Sequence, residues 1–341
     1  MAGQKPDKLP LLTSASNSFI CHRYGLSVKD YLTRPKECAR AHVAFARDFH
    51  LDYLVVGTGY IWYGCGPEMG MEWRFAGEEF PGFVKGPVAR PADLEKIEVP
   101  RRPSGYFATF LEVNRLVNEA LGDQVRLTTS VLGPFSMACF LRGIQETMLD
   151  LIRDPGFFQA CLAKAVDLSE YIGRQVLATG LEKPILNEIF VSPEMIRPDD
   201  YHRLIAPAIA EVQARLGADK VPNGMGAFMG SPGDPESQKG GRALFNAFFG
   251  AKESLAAIRQ AVAFSMPGWP FPASLSGRAL AAWEIDRILS FLGEALDFLV
   301  REEGLYPSIS LVAVLAHSSQ EAEEMARKMR AIHEFRNNYR L

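Results

Sequence analysis

Ser308-Ile309-Ser310-Leu311-Val312-Ala313-Val314-Leu315-Ala316 runs directly into His317-Ser318-Ser319-Gln320-Glu321-Ala322. A short β-branched apolar run therefore stands against a helix start. Such a run without polar alternation reads as a strand covered on both faces, the kind that parallel sheets use. Ser318 with Glu321 forms a Ser-x-x-Glu capping box, and Ala322, Met325, Met329 and Ile332 recur at helical spacing beyond it. Glu323 with Arg327, and Glu324 with Lys328, add i,i+4 pairs on the outer side of that helix. The stretch is one βα unit.

The same unit recurs back along the chain. Further strand-like runs are Leu9–Ser14, Tyr53–Gly57, Val125–Gly133, Pro184–Phe190, Lys220–Phe228, Ala243–Gly250 and Phe271–Ser276, which makes eight with the last one. Helical periods lie between them, notably Pro155–Thr179, Pro198–Leu216, Ser254–Ala263 and Leu280–Glu303. Eight strand-helix repeats predict an α/β fold, a (β/α)8 TIM barrel, as a single domain over residues 1–341. A doubly wound dinucleotide-binding sheet would carry glycines in its first turn, where this chain has Ser14-Ala15-Ser16. The Gly, Pro, Ser and charge-rich segment near 230–241 reads as a mobile loop on the functional face, placed to act as a lid.

Composition narrows the function classes. The chain has 341 residues, 48% hydrophobic, with 37 basic and 40 acidic residues for a formal charge of -3. No basic run offers a phosphate-tracking surface, so nucleic acid is not an expected partner. No apolar window approaches a membrane span, and Met1–Pro10 leads into no apolar signal segment, so a cytoplasmic location is expected. Five cysteines without a CxxC pair make neither a disulfide framework nor a cysteine-rich zinc site.

Gly133-Pro134-Phe135-Ser136-Met137-Ala138, Leu141-Arg142-Gly143 and Asp154-Pro155 follow the third run in order. With Val191-Ser192-Pro193-Glu194-Met195-Ile196, Tyr201 and Ala206-Pro207, this series resembles the uroporphyrinogen decarboxylase-like superfamily, which includes corrinoid-dependent methyltransferases. The resemblance covers residues 8–225 well and the last third in outline. Two departures direct the reading within it. Where the decarboxylases carry an Arg-Gln-Ala-Gly-Arg-Tyr type segment for substrate carboxylates, this chain has Ile20-Cys21-His22-Arg23-Tyr24-Gly25. Where the thiol methyltransferases carry a zinc-binding His-x-Cys, it has Asn223-Gly224-Met225, and no cysteine follows Cys161.

The resemblance then implies the donor half of corrinoid chemistry, of aryl methyl ether O-demethylase type. A methyl group passes from a methoxylated aromatic, or another small donor, to cobalt(I) on a separate corrinoid protein, without zinc at the usual His-x-Cys position. The alternatives are a decarboxylase or related lyase acting on a pyrrole-like or other carboxylated substrate, and a barrel that binds a ligand without catalysis. Partners expected on this reading are the corrinoid (cobalamin-binding) protein and the small-molecule donor, with a homodimer left open.

Candidate site residues come from the strand ends. Glu188 sits in the apolar run Ile185–Phe190, where a buried carboxyl can donate a proton; its bland reading is an outward ion pair. Asn187 alternates with it, so one of the two faces the interior and Asn187 is a substrate-binding candidate. His317, between the last strand and its helix, is the second catalytic candidate, against a structural hydrogen-bonded histidine. His22 is a binding candidate beside it, because the first and last strands of a barrel adjoin. No metal-ligand spacing links His22, Glu188 and His317, and no metal ligand is assigned. Tyr60, Trp62, Tyr63 and Trp73 give the second loop an aromatic face suited to a planar donor, or else a small satellite core. Asn223 and Met225 are candidates for donor contact, or space-fillers. His42, His50, His202 and His333 fall on helices and read as structural or exposed.

Overall fold

The computed structural model describes residues 9–15, 17–57, 66–74, 80–181, 184–217, 228–229, 231–248, 254–262, 271–303, 305–314 and 316–339. The strands are β1 (Leu11–Ala15), β2 (Tyr53–Val55), β3 (Glu72–Arg74), β4 (Gly82–Lys85), β5 (Arg126–Thr128), β6 (Ser130–Leu132), β7 (Ile185–Asn187), β8 (Phe271–Ser276) and β9 (Pro307–Val314). The helices used below are α1 (Asn17–Tyr24), α2 (Val28–Thr33), α3 (Pro35–Asp48), α4 (Gly105–Leu121), α5 (Pro134–Arg142), α6 (Ile144–Arg153), α7 (Pro155–Leu177), α8 (Ala206–Leu216), α9 (Pro235–Phe248), α10 (Leu255–Val262), α11 (Gly277–Ala282), α12 (Ile285–Asp297) and α13 (Ser319–Asn338).

Five parallel strands run in the order β5-β2-β1-β9-β8, and β6 pairs in parallel with β7. The first strand thus lies between the second and the last, which is the circular order of a closed (β/α)8 barrel. β5 and β6 belong to one run of chain divided at Thr129. That residue stitches both neighbours, donating its hydroxyl to Val56 O (2.8 Å) and accepting from Ile185 N (2.8 Å). Between β2 and β5 an antiparallel hairpin, β3–β4, is inserted with Trp73 opposite Phe83.

Register separates two faces. Leu54, Leu275 and Leu311 share one row with Thr13 and are buried beneath the helices. Leu12, Tyr53, Arg126, Ser274 and Ser310 form a row on the opposite face of the sheet, and of these five only Ser274 is buried. In β6 and β7, Val131 and Leu186 share one face and are buried, while Leu132, also buried, pairs with the half-buried Asn187 on the other.

Two expectations are corrected. Of the expected strand Ala243–Gly250, residues 243–248 are helical, the end of α9, with Leu244 and Ala247 buried, and residues 249–250 lie outside the described part. The expected loop near 230–241 is likewise helical from Pro235. Asp234 accepts from Glu236 N (3.1 Å) and Ser237 N (3.3 Å), and Pro235 brings the fixed φ of a first helical position. Only 231–234 of the described part remains a turn. The Leu280–Glu303 period divides at Trp283-Glu284, where extended backbone at Glu284 starts α12. Of the expected strand Lys220–Phe228, residues 220–227 lie outside the described part.

Candidate functional site

The C-terminal ends of β6 and β7 meet where the chain turns into α5. Gly133 N donates to Asn187 O (2.9 Å), which holds the two strand ends level. Glu188, the next residue, turns toward α5 and is almost wholly buried. Its Oε1 accepts from Phe135 N (2.9 Å), and its Oε2 accepts from Ser136 N (2.7 Å) and from Ser136 Oγ (2.7 Å). These are first-turn donors of a helix, which have no partner inside the helix. Glu188 supplies the missing acceptor from another βα unit. The fit leaves no room at Gly133, where a Cβ would collide with the Glu188 carboxyl.

Burial drives the Glu188 pKa up to about 7, although all three hydrogen bonds pull the other way. Its negative charge in turn helps burial to push the Cys139 thiol upward. Both Glu188 oxygens are thus taken up by donors of α5, and Asn187 stands on the opposite face of its strand. The Asn187 amide is half-buried and makes no hydrogen bond among the described residues.

An aromatic wall stands beside these strand ends. Trp73 meets Phe83 (ring centroids 5.4 Å) and Phe140 (5.4 Å), and Phe140 meets Phe83 (5.2 Å) and Phe190 (5.3 Å). Phe140 comes from α5 and Phe190 lies two residues past Glu188. Val88 N donating to Leu141 O (3.0 Å) ties the chain after β4 to the end of α5. Tyr60, Trp62 and Tyr63 lie outside the described residues, as do Asn223 and Met225.

His317 is exposed at the end of the β9 unit, and its amide donates to Glu321 Oε2 (2.8 Å) while Ser318 caps α13. Ser18 Oγ accepts from Ala316 N (3.5 Å), which sets the start of α1 beside the end of the β9 unit, and His22 lies one turn further along α1. Its neighbour Arg23 is drawn to Asp48 (3.9 Å) and Glu323 (3.5 Å). Among the described residues, no group of three or more His, Cys, Asp or Glu side chains converges closely enough to hold a metal, so His22, Glu188 and His317 are not such a set.

His42, read from the sequence as structural or exposed, is structural. It is buried in α3, its Nδ1 lies 2.9 Å from Cys38 O, and its Nε2 accepts from Gly57 N (3.2 Å), just past β2. Burial lowers its pKa to about 4, so the ring is neutral, with the proton on Nδ1. Its burial had a local signal, since His42 shares the buried face of α3 with Cys38, Ala39, Phe45 and Ala46.

Among the described residues, no helix is long and apolar enough to cross a membrane. None of the curated proteins compared with the chain matches it. A solved structure, "methyltransferase from Methanosarcina mazei", superposes with a TM-score of 0.71 at 14% identity, covering 96% of this chain and 95% of the other. At that identity the likeness is one of fold, and it agrees with the circular strand order. The family model for uroporphyrinogen decarboxylase (URO-D) matches residues 1–229, which include β1 to β7, the Gly133–Ala138 turn and the Glu188 cap upon it. By that match over two thirds of its length, the chain belongs to the uroporphyrinogen decarboxylase family.

Proposed function

We propose that this protein transfers a methyl group from a methoxylated aromatic compound to the cobalt(I) of a separate corrinoid protein. The observation that carries the reading is the cluster of Trp73, Phe83, Phe140 and Phe190, whose rings meet edge-on or tilted beside the end of β7, where the half-buried Asn187 brings a polar group. The URO-D match and the fold shared with a protein named as a methyltransferase support it. In the reaction the O–CH3 bond breaks, and the electron pair of cobalt(I) forms the new bond to carbon. The aryl oxygen keeps the pair of the broken bond and takes up a proton.

In this reading the Asn187 amide donates to the donor's oxygen and His317, exposed at the rim, supplies the proton. Glu188 acts from behind, holding the first turn of α5 and with it the rim on which the donor rests. Tyr60, Trp62 and Tyr63 extend the aromatic wall, Asn223 and Met225 touch the donor without zinc, and reduced cobalt suits a cytoplasmic setting.

The family's name favours a second reading, a lyase acting on a carboxylated pyrrole-like substrate. Against it, Arg23, in the segment where the decarboxylases bind carboxylates, is engaged by Asp48 and Glu323. The deciding assay incubates the protein with a methoxybenzoate and a cobalt(I) corrinoid protein, and in parallel with a carboxylated tetrapyrrole. Methylated corrinoid and a phenolic product are expected. Carbon dioxide released from the tetrapyrrole, with no methyl transfer, would overturn the proposal in favour of the lyase.

A further inference from the structure

β3 and β4 form a two-stranded sheet of their own, with Trp73 opposite Phe83 and Lys85 paired to Glu72 (3.3 Å). Two strands alone are marginal in water, so what the hairpin is fastened to decides where its rings stand. The fastening is the last turn of α5, whose final carbonyls have no partner within the helix. Val88 N donates to Leu141 O (3.0 Å), and Arg142 Nη1 donates to Ala89 O (3.1 Å). Arg142 is braced in turn, through Nε to Asp150 Oδ2 (2.8 Å) and by its guanidinium over the Phe157 ring (5.2 Å).

Gly86 follows β4 directly against that turn. A Cβ there would stand 2.0 Å from Leu141 O and 2.3 Å from Phe140 O, far inside ordinary contact. Both oxygens belong to helix backbone, which has no rotamer to swing aside, so glycine is needed at this position for close approach. Pro87 closes the base of the hairpin, since a Cβ at Gly70, which has φ +79°, would lie 3.3 Å from the Pro87 ring. Phe140 takes part twice. Its carbonyl lies under Gly86, and its ring meets Trp73 (5.4 Å), Phe83 (5.2 Å) and Phe190 (5.3 Å). A side chain at position 86 must drive the hairpin from the helix end by about 1 Å or more, and close packing passes that displacement on to the rings.

We propose that Gly86 is a positioning residue for the aromatic cluster: by admitting the hairpin to the end of α5 it sets where Trp73 and Phe83 stand against Phe140 and Phe190, and so how the cluster meets an aromatic donor. The consequence for the donor rests on the methoxyarene reading above; the seating of the hairpin does not. Two substitutions separate close approach from the general effect of replacing a glycine. Gly86→Ala places a methyl group against the helix carbonyls, whereas Gly82→Ala makes the same change in the same hairpin at a position with nothing within 4 Å. A third, Arg142→Lys, loosens the seat from the helix side, keeping a charge for Asp150 while giving up Ala89 O.

The measurements, all on the full-length protein, are amide hydrogen exchange at Val88, tryptophan emission, and affinity and turnover with a methoxybenzoate. Gly86→Ala is expected to speed exchange at Val88 about tenfold or more. It should shift the emission to the red, and the shift should vanish in a Trp73→Phe background. Methoxybenzoate affinity should fall about fivefold while turnover at saturation stays within about twofold, because Asn187 and His317 stand on other elements. Gly82→Ala should match the wild type in every measurement. Exchange and emission alike in the two alanine variants, or exchange quickened equally over the whole chain in Gly86→Ala, would overturn the seating. Altered emission with unaltered methoxybenzoate affinity would overturn the positioning role. If Gly86→Ala yields no folded protein, Arg142→Lys decides: smaller changes of the same sign at Val88 and Trp73 are expected, and none at either would overturn the seating. If the wild-type protein bound no methoxyarene, the donor reading would fail, while exchange and emission would still decide the seating.

Discussion

Glu188 Oε2 accepts both the amide and the hydroxyl of Ser136, each at 2.7 Å, across a gap of 52 residues in sequence. With Phe135 N on Oε1, one carboxyl completes the first turn of a helix that belongs to another βα unit.

Removing that carboxyl orphans three buried donors at once. Glu188→Ala is expected to cost about 3 to 5 kcal/mol, because each unpaired buried group carries its own desolvation penalty. Glu188→Gln should cost less, about 1 to 3 kcal/mol, since its oxygen can serve Ser136 while its amide group faces Phe135 N. Urea unfolding of the three proteins checks the order; an unchanged midpoint for Glu188→Ala would contradict it.

Two buried groups should pull stability in opposite directions with pH. Glu188 titrates near 7 when folded against 4.5 when free, so its contribution is present below 4.5 and is lost as pH rises through about 7. His42 titrates near 4 when folded against 6.5 when free, so its contribution is present above 6.5 and is lost as pH falls through about 4. Each shift corresponds to about 3 kcal/mol, and between 4.5 and 6.5 the two slopes largely cancel. The wild type should therefore show weak pH dependence there, Glu188→Gln a stability that rises with pH, and His42→Gln one that falls. Urea midpoints at pH 4.5, 5.5 and 6.5 give the comparison, and parallel curves for all three proteins would contradict the assignment.

Trp73 is the half-buried indole of the aromatic cluster. Stacking is worth about 0.5 to 1.5 kcal/mol beyond burial, so Trp73→Ala should weaken a methoxybenzoate about twofold to tenfold. Methanol or methylamine, if accepted, should be unaffected. Isothermal titration on a variant with a wild-type melting curve is the check, and equal weakening of aliphatic and aromatic donors would count against the wall.

Asn187 and His317 should separate kinetically. His317→Ala is expected to lower turnover about 10²-fold or more with KM nearly unchanged, as loss of a proton donor affects the transition state. On the proposed function, Asn187→Ala should raise KM as well, because there its amide is assigned to the donor's oxygen in the ground state. Near wild-type turnover in both variants would remove them from the reaction.

Much of the barrel was legible because its strongest signals are local. Phe271–Ser276 is a strand over the expected residues, and the Ser318 cap starts α13 as its motif predicts. Ala243–Gly250 misled, since a short apolar run fits a strand or a buried helix equally and Gly240-Gly241 looked like a break. Those two glycines are buried inside α9. At the site, burial of a carboxyl at position 188 could be read from the apolar run around it. Its orientation could not, because the donors that claim it lie 52 and 53 residues earlier. The partner of His42 was hidden for the same reason, Gly57 being 15 residues away on a different element.

The pairing of β1 with β9 bears on how the chain is made. Leu11 faces Ile309, and Ile309 N donates to Pro10 O (2.9 Å), so β1 finds one of its two neighbours only after some three hundred further residues have been made. Until then the side of β1 that β9 will occupy is an unsatisfied edge, open to the wrong strand or to another nascent chain. Closure is also the step with the greatest loop-closure cost, and it comes last. Translation that pauses before residue 307 should leave a half-wall that recruits chaperones, whereas completion of the final βα unit both fills the gap and ends that exposure.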